Sequence, residues 1–334
     1  MTLWESLADR VLTGEAADRE AALAVLASPD EEILAVLAAA YRIRRHYFGR
    51  RVRFHYLLNA KSGRCGEDCA YCSQSARYET GIPTYPLVDR EAVLAGAERA
   101  LNLGAATYCI VMSGRRPRDA EIDQLAEAVQ AVKARYPLRI CTSLGLVTEA
   151  QALRLKAAGV DRYNHNLNTS ARFTPSIVTT HTYADRVATV QRIQQAGLSA
   201  CTGFIAGLGE EDGDLVDVAL ALRALEVDSV PVNFLIPIPG TPLGHRPRTS
   251  ALRALRIAAM LRFVLPDKEI RLAGGREGAL ASLQPMGLYA ANSLFVADYL
   301  TTPGQDPGLD HRMVQDLGFE VEEPEGEPAA AGPG

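Results

Sequence analysis

Two periods of hydrophobicity alternate along most of this chain. From about residue 51, short apolar runs of the kind that form buried strands are separated by longer windows. Within those windows apolar side chains recur every three to four positions, as on one face of a helix. The predicted strands cover residues 52–57, 107–112, 139–144, 162–167, 200–206, 230–236, 269–272 and 293–296. The helical windows have readable ends. Thr148 and Gln151 have the spacing of a capping box, and the helix they open stops at Gly159. Gly104 and Gly197 close two further helices, each a few residues before a strand. Helix, glycine, strand is the recurring order, so the unit is βα.

Residues 1–50 carry only the helical period. Ser28-Pro29-Asp30-Glu31 reads as a capping box with proline at the first helical position, and Ile33, Leu34, Leu37, Tyr41 and Phe48 form the apolar stripe that follows. Eight strands with intervening helices predict a (β/α)8 barrel over residues 51–318, preceded by these helices as an extension. An open doubly wound sheet is the other α/β arrangement, but its glycine-rich fingerprint after an early strand is missing. Residues 319–334 are acidic, rich in proline and glycine and poor in large apolar groups, and are expected to form a disordered tail.

Composition narrows the setting. At 334 residues and 48% hydrophobic content the chain is long enough to bury a full core without staples. A net charge of −5 argues against a nucleic-acid binder, which normally shows a basic face. No stretch reaches the roughly 18 to 20 apolar residues of a membrane span. The amphipathic first 20 residues lack the basic and apolar regions of a secretory signal. A cytoplasmic protein is expected, and in that compartment six cysteines suit metal binding or catalysis better than disulfides.

Three of them crowd into Cys65-Gly-Glu-Asp-Cys69-Ala-Tyr-Cys72, just after the first strand. In a barrel this is the loop at the carboxyl end, where active sites are built. Zinc would want four ligands, often as two CxxC pairs, and the next cysteine is only Cys109. Three thiolates on a four-iron cube would leave one iron open. Cys109, Cys141 and Cys201 each fall inside a different predicted strand. A lone strand cysteine is ordinarily a small buried hydrophobe. Three on separate barrel strands could instead share a layer and a second metal site.

The spacing C-x3-C-x2-C after a first barrel strand resembles the radical S-adenosylmethionine superfamily, as does Tyr71, the aromatic residue before the last cysteine. With its flanks, Asn59-Ala-Lys61-Ser-Gly-Arg-Cys65 through Cys72-Ser-Gln-Ser, the segment is similar to the biotin synthase family, and the similarity extends over residues 40–318. The resemblance implies a sulfurtransferase that inserts sulfur into dethiobiotin to make biotin. It implies a [4Fe–4S] cluster on Cys65, Cys69 and Cys72 that binds and cleaves S-adenosylmethionine. It also implies a [2Fe–2S] cluster on Cys109, Cys141, Cys201 and Arg271 that supplies the sulfur. Read without the resemblance, Arg271 is a buried ion-pair partner or an anion clamp, because guanidinium stays protonated; Arg276 is the competing arginine.

Other assignments follow from the same likeness. Tyr71, Asn166, Asn168, Arg186 and Gly207 are implied contacts of S-adenosylmethionine, with Arg186 pairing with the methionyl carboxylate. Asn164, Asn166 and Asn233 are implied contacts of the ureido ring, and Lys61, Thr301 and Thr302 of the substrate's carboxylate tail. No side chain is assigned acid–base catalysis, since the cofactors carry the chemistry. His165, alone in its strand, reads as an ordinary buried histidine. Two positions depart from the family pattern. Asn168 stands where aspartate is common, removing a charge from a hydroxyl contact. Gly66 stands where proline is frequent, which bears on loop stiffness alone. A flavodoxin or ferredoxin as electron donor and a homodimer are further implications. The competing readings are a related radical enzyme, of the hydrogenase-maturation or carbon-skeleton-rearranging kind, with only the [4Fe–4S] cluster, and a non-catalytic iron–sulfur or zinc scaffold.

Overall fold

A computed structural model describes residues 2–324. Three helices come first, α1 (Leu3–Leu12), α2 (Arg19–Leu26) and α3 (Ile33–Phe48). The strands and helices then alternate: β1 (Arg51–Lys61), α4 (Arg90–Asn102), β2 (Thr107–Met112), α5 (Asp119–Lys133), β3 (Arg139–Ser143), α6 (Glu149–Ala157), β4 (Arg162–Asn164) and α7 (Tyr183–Gln195). The second half continues with β5 (Ser199–Cys201), β6 (Phe204–Ala206), α8 (Asp212–Ala224), β7 (Ser229–Phe234), α9 (Ala251–Val264) and β8 (Glu269–Leu272). It ends with α10 (Arg276–Leu280), α11 (Gln284–Gly287), β9 (Ser293–Phe295), α12 (Pro307–Asp316) and β10 (Glu320–Val321).

All pairings among β1 to β9 are parallel, and β9 returns to β1, so the sheet closes into an eight-staved (β/α)8 barrel without edges. The fifth stave is interrupted. The run 200–206, expected as one strand, is split into β5 and β6 at Thr202 and Gly203. Glycine is required there by close approach: a Cβ on Gly203 would lie 1.8 Å from the carbonyl oxygen of Pro231. The caps read from sequence at Thr148–Gln151 and at Gly104, Gly159 and Gly197 are present.

The N-terminal helices give one barrel helix a second buried face. α3 and α2 lie on α9, whose residues from Ala254 to Val264 are all buried. A helix covered on both sides must be apolar all round. Of its two buried cations, Arg262 is satisfied by the carbonyls of Ala290, Pro266 and Lys268 and by Asn292, and Arg256 by Ser28 and Asp30. Trp4, Leu7 and Val11 of α1 are buried with Val36, Leu37 and Ala40 of α3, each large side chain contributing on the order of 1.5 to 3 kcal/mol.

Three details differ from the sequence expectation. Ser28 does not cap a helix: its hydroxyl donates back to the carbonyl of Val25 and accepts from Arg256 Nε, and a short 3-10 turn precedes α3. Leu34 leaves the apolar stripe and is 66% exposed. The segment assigned to a disordered tail begins inside the fold, since Phe319 is buried, β10 pairs with Arg51 and Val52 of β1, and Glu322 pairs with Arg53. The acidic stretch from 325 to 334 lies outside the described residues.

Candidate active site: a cavity between two cysteine sets

The loop after β1 is built on its own backbone. Cys65 N–H donates to the Gln74 carbonyl, Ala76 N–H to the Cys65 carbonyl and Cys72 N–H to the Cys69 carbonyl. The loop is also fastened to the segment after β4. The Asp68 carboxylate accepts the N–H groups of Thr179 (2.9 Å) and Thr180 (3.2 Å), and the Ala70 N–H reaches the Ile177 carbonyl. Burial acts to raise the Asp68 carboxyl, but the Thr179 and Thr180 donors hold it well below the usual range. With the backbone so committed, the thiols of Cys65, Cys69 and Cys72 all face one cavity of about 400 Å³. Burial pushes the Cys69 thiol up to about 12, so a neighbouring cation is needed to make it a thiolate.

Deeper in the barrel the strand cysteines meet. Cys109 of β2 and Cys141 of β3 are register partners, and Asn164 of β4 is paired with Cys201 of β5. The three buried thiols pack as one group with Leu57, beside Phe295, Tyr299 and Leu300. None of the six cysteines is in a disulfide. Arg271, 1% exposed, extends from β8 toward Cys201, with Nη1 3.6 Å from its Sγ. Arg271 Nη2 donates to Glu269 (2.6 Å) and Ser229 (2.8 Å), and its Nε has no partner. Arg276, the alternative, is committed to Asp310 and Gln284 and does not line the cavity.

Sequence reasoning missed the floor beneath this layer. The Glu269 carboxylate is buried at the centre of Arg53 (2.7 Å), Arg162 (2.7 Å), Arg271 (2.6 Å) and His55 (2.8 Å). Burial acts to raise the Glu269 carboxyl, but Arg162, His55 and Arg271 overcome it and hold it well below its usual value. His55 is pushed down to about 3, by burial first and then by Arg271, and is neutral. A signal for this was available: Glu269 and Arg271 are two apart on one strand and so share a face.

The cavity walls carry most of the other predicted residues: Tyr71, Asn164, Asn166, Asn168, Arg186 and Asn233, with Thr301 and Thr302 from the loop after β9. Asn164 Nδ2 reaches Asn166 Oδ1 (3.0 Å) and lies 3.4 Å from Cys201 Sγ, so the amide ladder runs directly onto the lower cysteines. Asn233 Oδ1 accepts from Gly274 N–H (3.1 Å), and the Thr301 hydroxyl meets that of Ser73 in the cysteine loop (2.7 Å). Asn168 sits at φ +70, a region asparagine tolerates. Both neighbours of its amide oxygen are donors, Tyr71 Oη at 2.5 Å and Arg186 Nη2 at 3.0 Å. Two predicted residues are elsewhere. Lys61 is ion-paired to Glu121 (2.7 Å), and Gly207 N–H is held by Glu210 (2.7 Å); neither lines the cavity. His165 lines it as a buried, neutral ring, its protonation disfavoured by burial and by Arg186.

Among the described residues no three His, Cys, Asp or Glu side chains converge on one metal-ion position. Iron–sulfur clusters do not require that convergence, because their thiolate ligands are spread over more than one iron. Two trios of thiols, soft donors of which Cys65, Cys69, Cys72, Cys109 and Cys141 line the cavity while Cys201 packs behind the last two, fit such groups by their chemistry.

A parallel barrel with a three-cysteine loop at its carboxyl end defines the class as radical S-adenosylmethionine enzymes. The radical SAM superfamily model matches residues 60–222, and the Biotin and Thiamin Synthesis associated domain matches residues 231–320. The fold is shared with methylornithine synthase (TM-score 0.83, 22% identity, 95% of this chain and 97% of that one). It is shared as well with the FeFe-hydrogenase maturase of Carboxydothermus hydrogenoformans (TM-score 0.81, 18% identity, 96% and 79%). In sequence, the chain is 53% identical over 322 residues to the biotin synthase of Geobacillus kaustophilus strain HTA426, covering 96% of this chain and 97% of that protein. Biotin synthase of Bacillus subtilis strain 168 is also 53% identical, with 96% of each chain covered. The chain belongs to the biotin synthase family and is an enzyme. Among the described residues no helix is long and apolar enough to cross a membrane.

Proposed function

We propose that this enzyme converts dethiobiotin to biotin with S-adenosylmethionine, using a [4Fe–4S] cluster on Cys65, Cys69 and Cys72 and a [2Fe–2S] cluster on Cys109, Cys141, Cys201 and Arg271. The observation that carries the reading is the second thiol set. Three cysteines from separate strands and a buried arginine meet at the floor of the cavity that the cysteine loop covers. When bound, the two clusters supply the electron that breaks the sulfonium C–S bond and the sulfide that is inserted.

The protein's part is positioning and exclusion of water. Asn164, Asn166 and Asn233 present donors and acceptors suited to the substrate's cyclic urea, beside the lower thiols. Tyr71 and Asn168 line the side toward the nucleoside, and Arg186 takes the methionyl carboxylate. Thr301 and Thr302 stand where a carboxylate tail can be held. Lys61 reaches that tail only by leaving Glu121, and Gly207 shapes the turn after β6 without facing the cavity. The enclosed barrel keeps a reactive alkyl radical from water and from the wrong carbon. The assignment extends to a cytoplasmic enzyme reduced by a flavodoxin or ferredoxin. It also includes a homodimer.

Mössbauer spectroscopy with iron and sulfide analysis on anaerobically reconstituted protein tests the reading. Separate [4Fe–4S] and [2Fe–2S] signals are expected, with the second lost in Cys109→Ala. A single [4Fe–4S] signal unchanged by that substitution would overturn it.

A further inference from the structure

One chain of contacts joins the cysteine loop to Arg186 and has no place in the function proposed above. Glu67 lies between Cys65 and Cys69, and its carboxylate faces Nδ1 of His181 at 2.5 Å. On the far side of the ring, Arg186 Nε donates to His181 Nε2 at 2.8 Å. A guanidinium has no acceptor, so Nε2 must present its lone pair and the ring proton must sit on Nδ1, toward Glu67. Burial and the adjacent Arg186 disfavour a second proton on His181. Thr180 and Arg115 (3.2 Å) hold the Glu67 carboxylate in turn.

The remaining contacts of Arg186 are neutral as well. Nη1 donates to the Asn166 carbonyl (2.7 Å), and Nη2 to the Asn168 amide oxygen (3.0 Å). Among the described residues, no carboxylate pairs with this guanidinium. Its orientation is therefore set by three neutral acceptors while its charge is left uncompensated, and it lines the cavity. That arrangement suits an anionic ligand. A protein carboxylate in place of the histidine would compete with the ligand for the charge.

We infer that Glu67 and His181 are positioning residues that orient Arg186 toward a ligand carboxylate, making the site selective for a sulfonium nucleoside that carries an α-carboxylate. The inference rests on the reading of Arg186 as the methionyl carboxylate's partner. It adds a coupling, because the residue that orients the histidine belongs to the loop of the upper thiols.

Equilibrium binding of S-adenosylmethionine and of its decarboxylated analogue to anaerobically reconstituted enzyme tests it. The quantity measured is the ratio of the two affinities. Both ligands are measured on one preparation, so any inactive fraction cancels in that ratio. Arg186→Ala is expected to lower the preference for the carboxylate by well over tenfold and His181→Phe by about tenfold, the analogue's own affinity changing little. His181→Gln, whose amide oxygen can accept the Arg186 N–H, is expected to stay within about threefold of wild type. If Arg186→Ala lowers the preference and His181→Phe leaves it intact, the positioning role is wrong and the carboxylate reading stands. If His181→Gln is as damaged as His181→Phe, the acceptor role is wrong. If Arg186→Ala itself has no effect, the carboxylate reading falls and this inference falls with it.

Discussion

Arg271 and Glu269, two residues apart on β8, form a buried ion pair (2.6 Å) that leaves the arginine's Nη1 beside Cys201 and its Nε without a partner. The pair links the lower thiol layer to the charged floor. Arg53 and Arg162 share the same carboxylate, so the floor stands or falls with one residue.

Replacing Glu269 with glutamine therefore removes the counter-charge of three arginines at once, one of which keeps Glu322. The expected cost is about 3 to 5 kcal/mol, the range for a buried ion pair deprived of one partner. Urea unfolding of the metal-free protein measures it. A loss under about 1 kcal/mol would mean that water reaches and solvates the floor.

The two cysteine sets are expected to separate the two halves of the reaction. Cys65→Ala abolishes cleavage of S-adenosylmethionine, because the upper set loses one of its three ligands. Cys201→Ala leaves measurable cleavage to 5′-deoxyadenosine while preventing biotin formation, and Arg271→Ala is milder than either. Product analysis by chromatography distinguishes the outcomes. Survival of both reactions in Cys201→Ala would remove the lower site from the mechanism.

Gly203 is predicted to be irreplaceable for steric reasons. An alanine Cβ there would lie 1.8 Å from the backbone oxygen of Pro231, which cannot move without displacing β7. Gly203→Ala is expected to cost upward of about 2 kcal/mol. It is also expected to disturb Asn166, whose Oδ1 accepts the Gly203 N–H at 3.0 Å. Thermal unfolding checks the first effect and substrate affinity the second.

Glu121 gives a pH-dependent contribution of known sign. Burial acts to raise its carboxyl, but the Arg118 backbone N–H, Lys61 and the Arg118 side chain bring it down from 4.5 to about 2. A carboxyl with a depressed folded-state pKa contributes its stability above the unfolded value, and loses it as pH falls through the folded one. Glu121→Gln is thus expected to cost about 1 to 2 kcal/mol at neutral pH, moderated by the exposure of Arg118. The difference from wild type should narrow from about pH 4.5 to pH 2, as followed by denaturant titrations across that range. A constant difference would mean that Glu121 acts by shape alone.

Most of the architecture was legible in the chain. Strand periodicity placed seven of the barrel's staves within a few residues, and β2 and β8 to the residue, since a buried strand's signal lies in its own run of side chains. The break in the fifth stave was not legible, because it depends on a carbonyl from β7 pressing on Gly203. Spacing places Leu34 on the apolar face of α3, but the helix turns that side chain outward. Most candidate contacts came together in the cavity. Lys61 did not, because Glu121 on the next helix claims it.

What the sequence alone determined is what local spacing can encode: the βα repeat, the thiol-rich loop after the first strand, and the kind of metal chemistry that three clustered thiols suit. Tertiary structure decided which distant residues share the cavity. It selected Arg271 over Arg276 to face Cys201, gathered three arginines on Glu269, and joined Glu67 to Arg186 through His181. The physical reason is that ion pairs and hydrogen bonds form across the barrel between residues far apart in sequence. Their partners are set by strand register and closure, which no local pattern of side chains records.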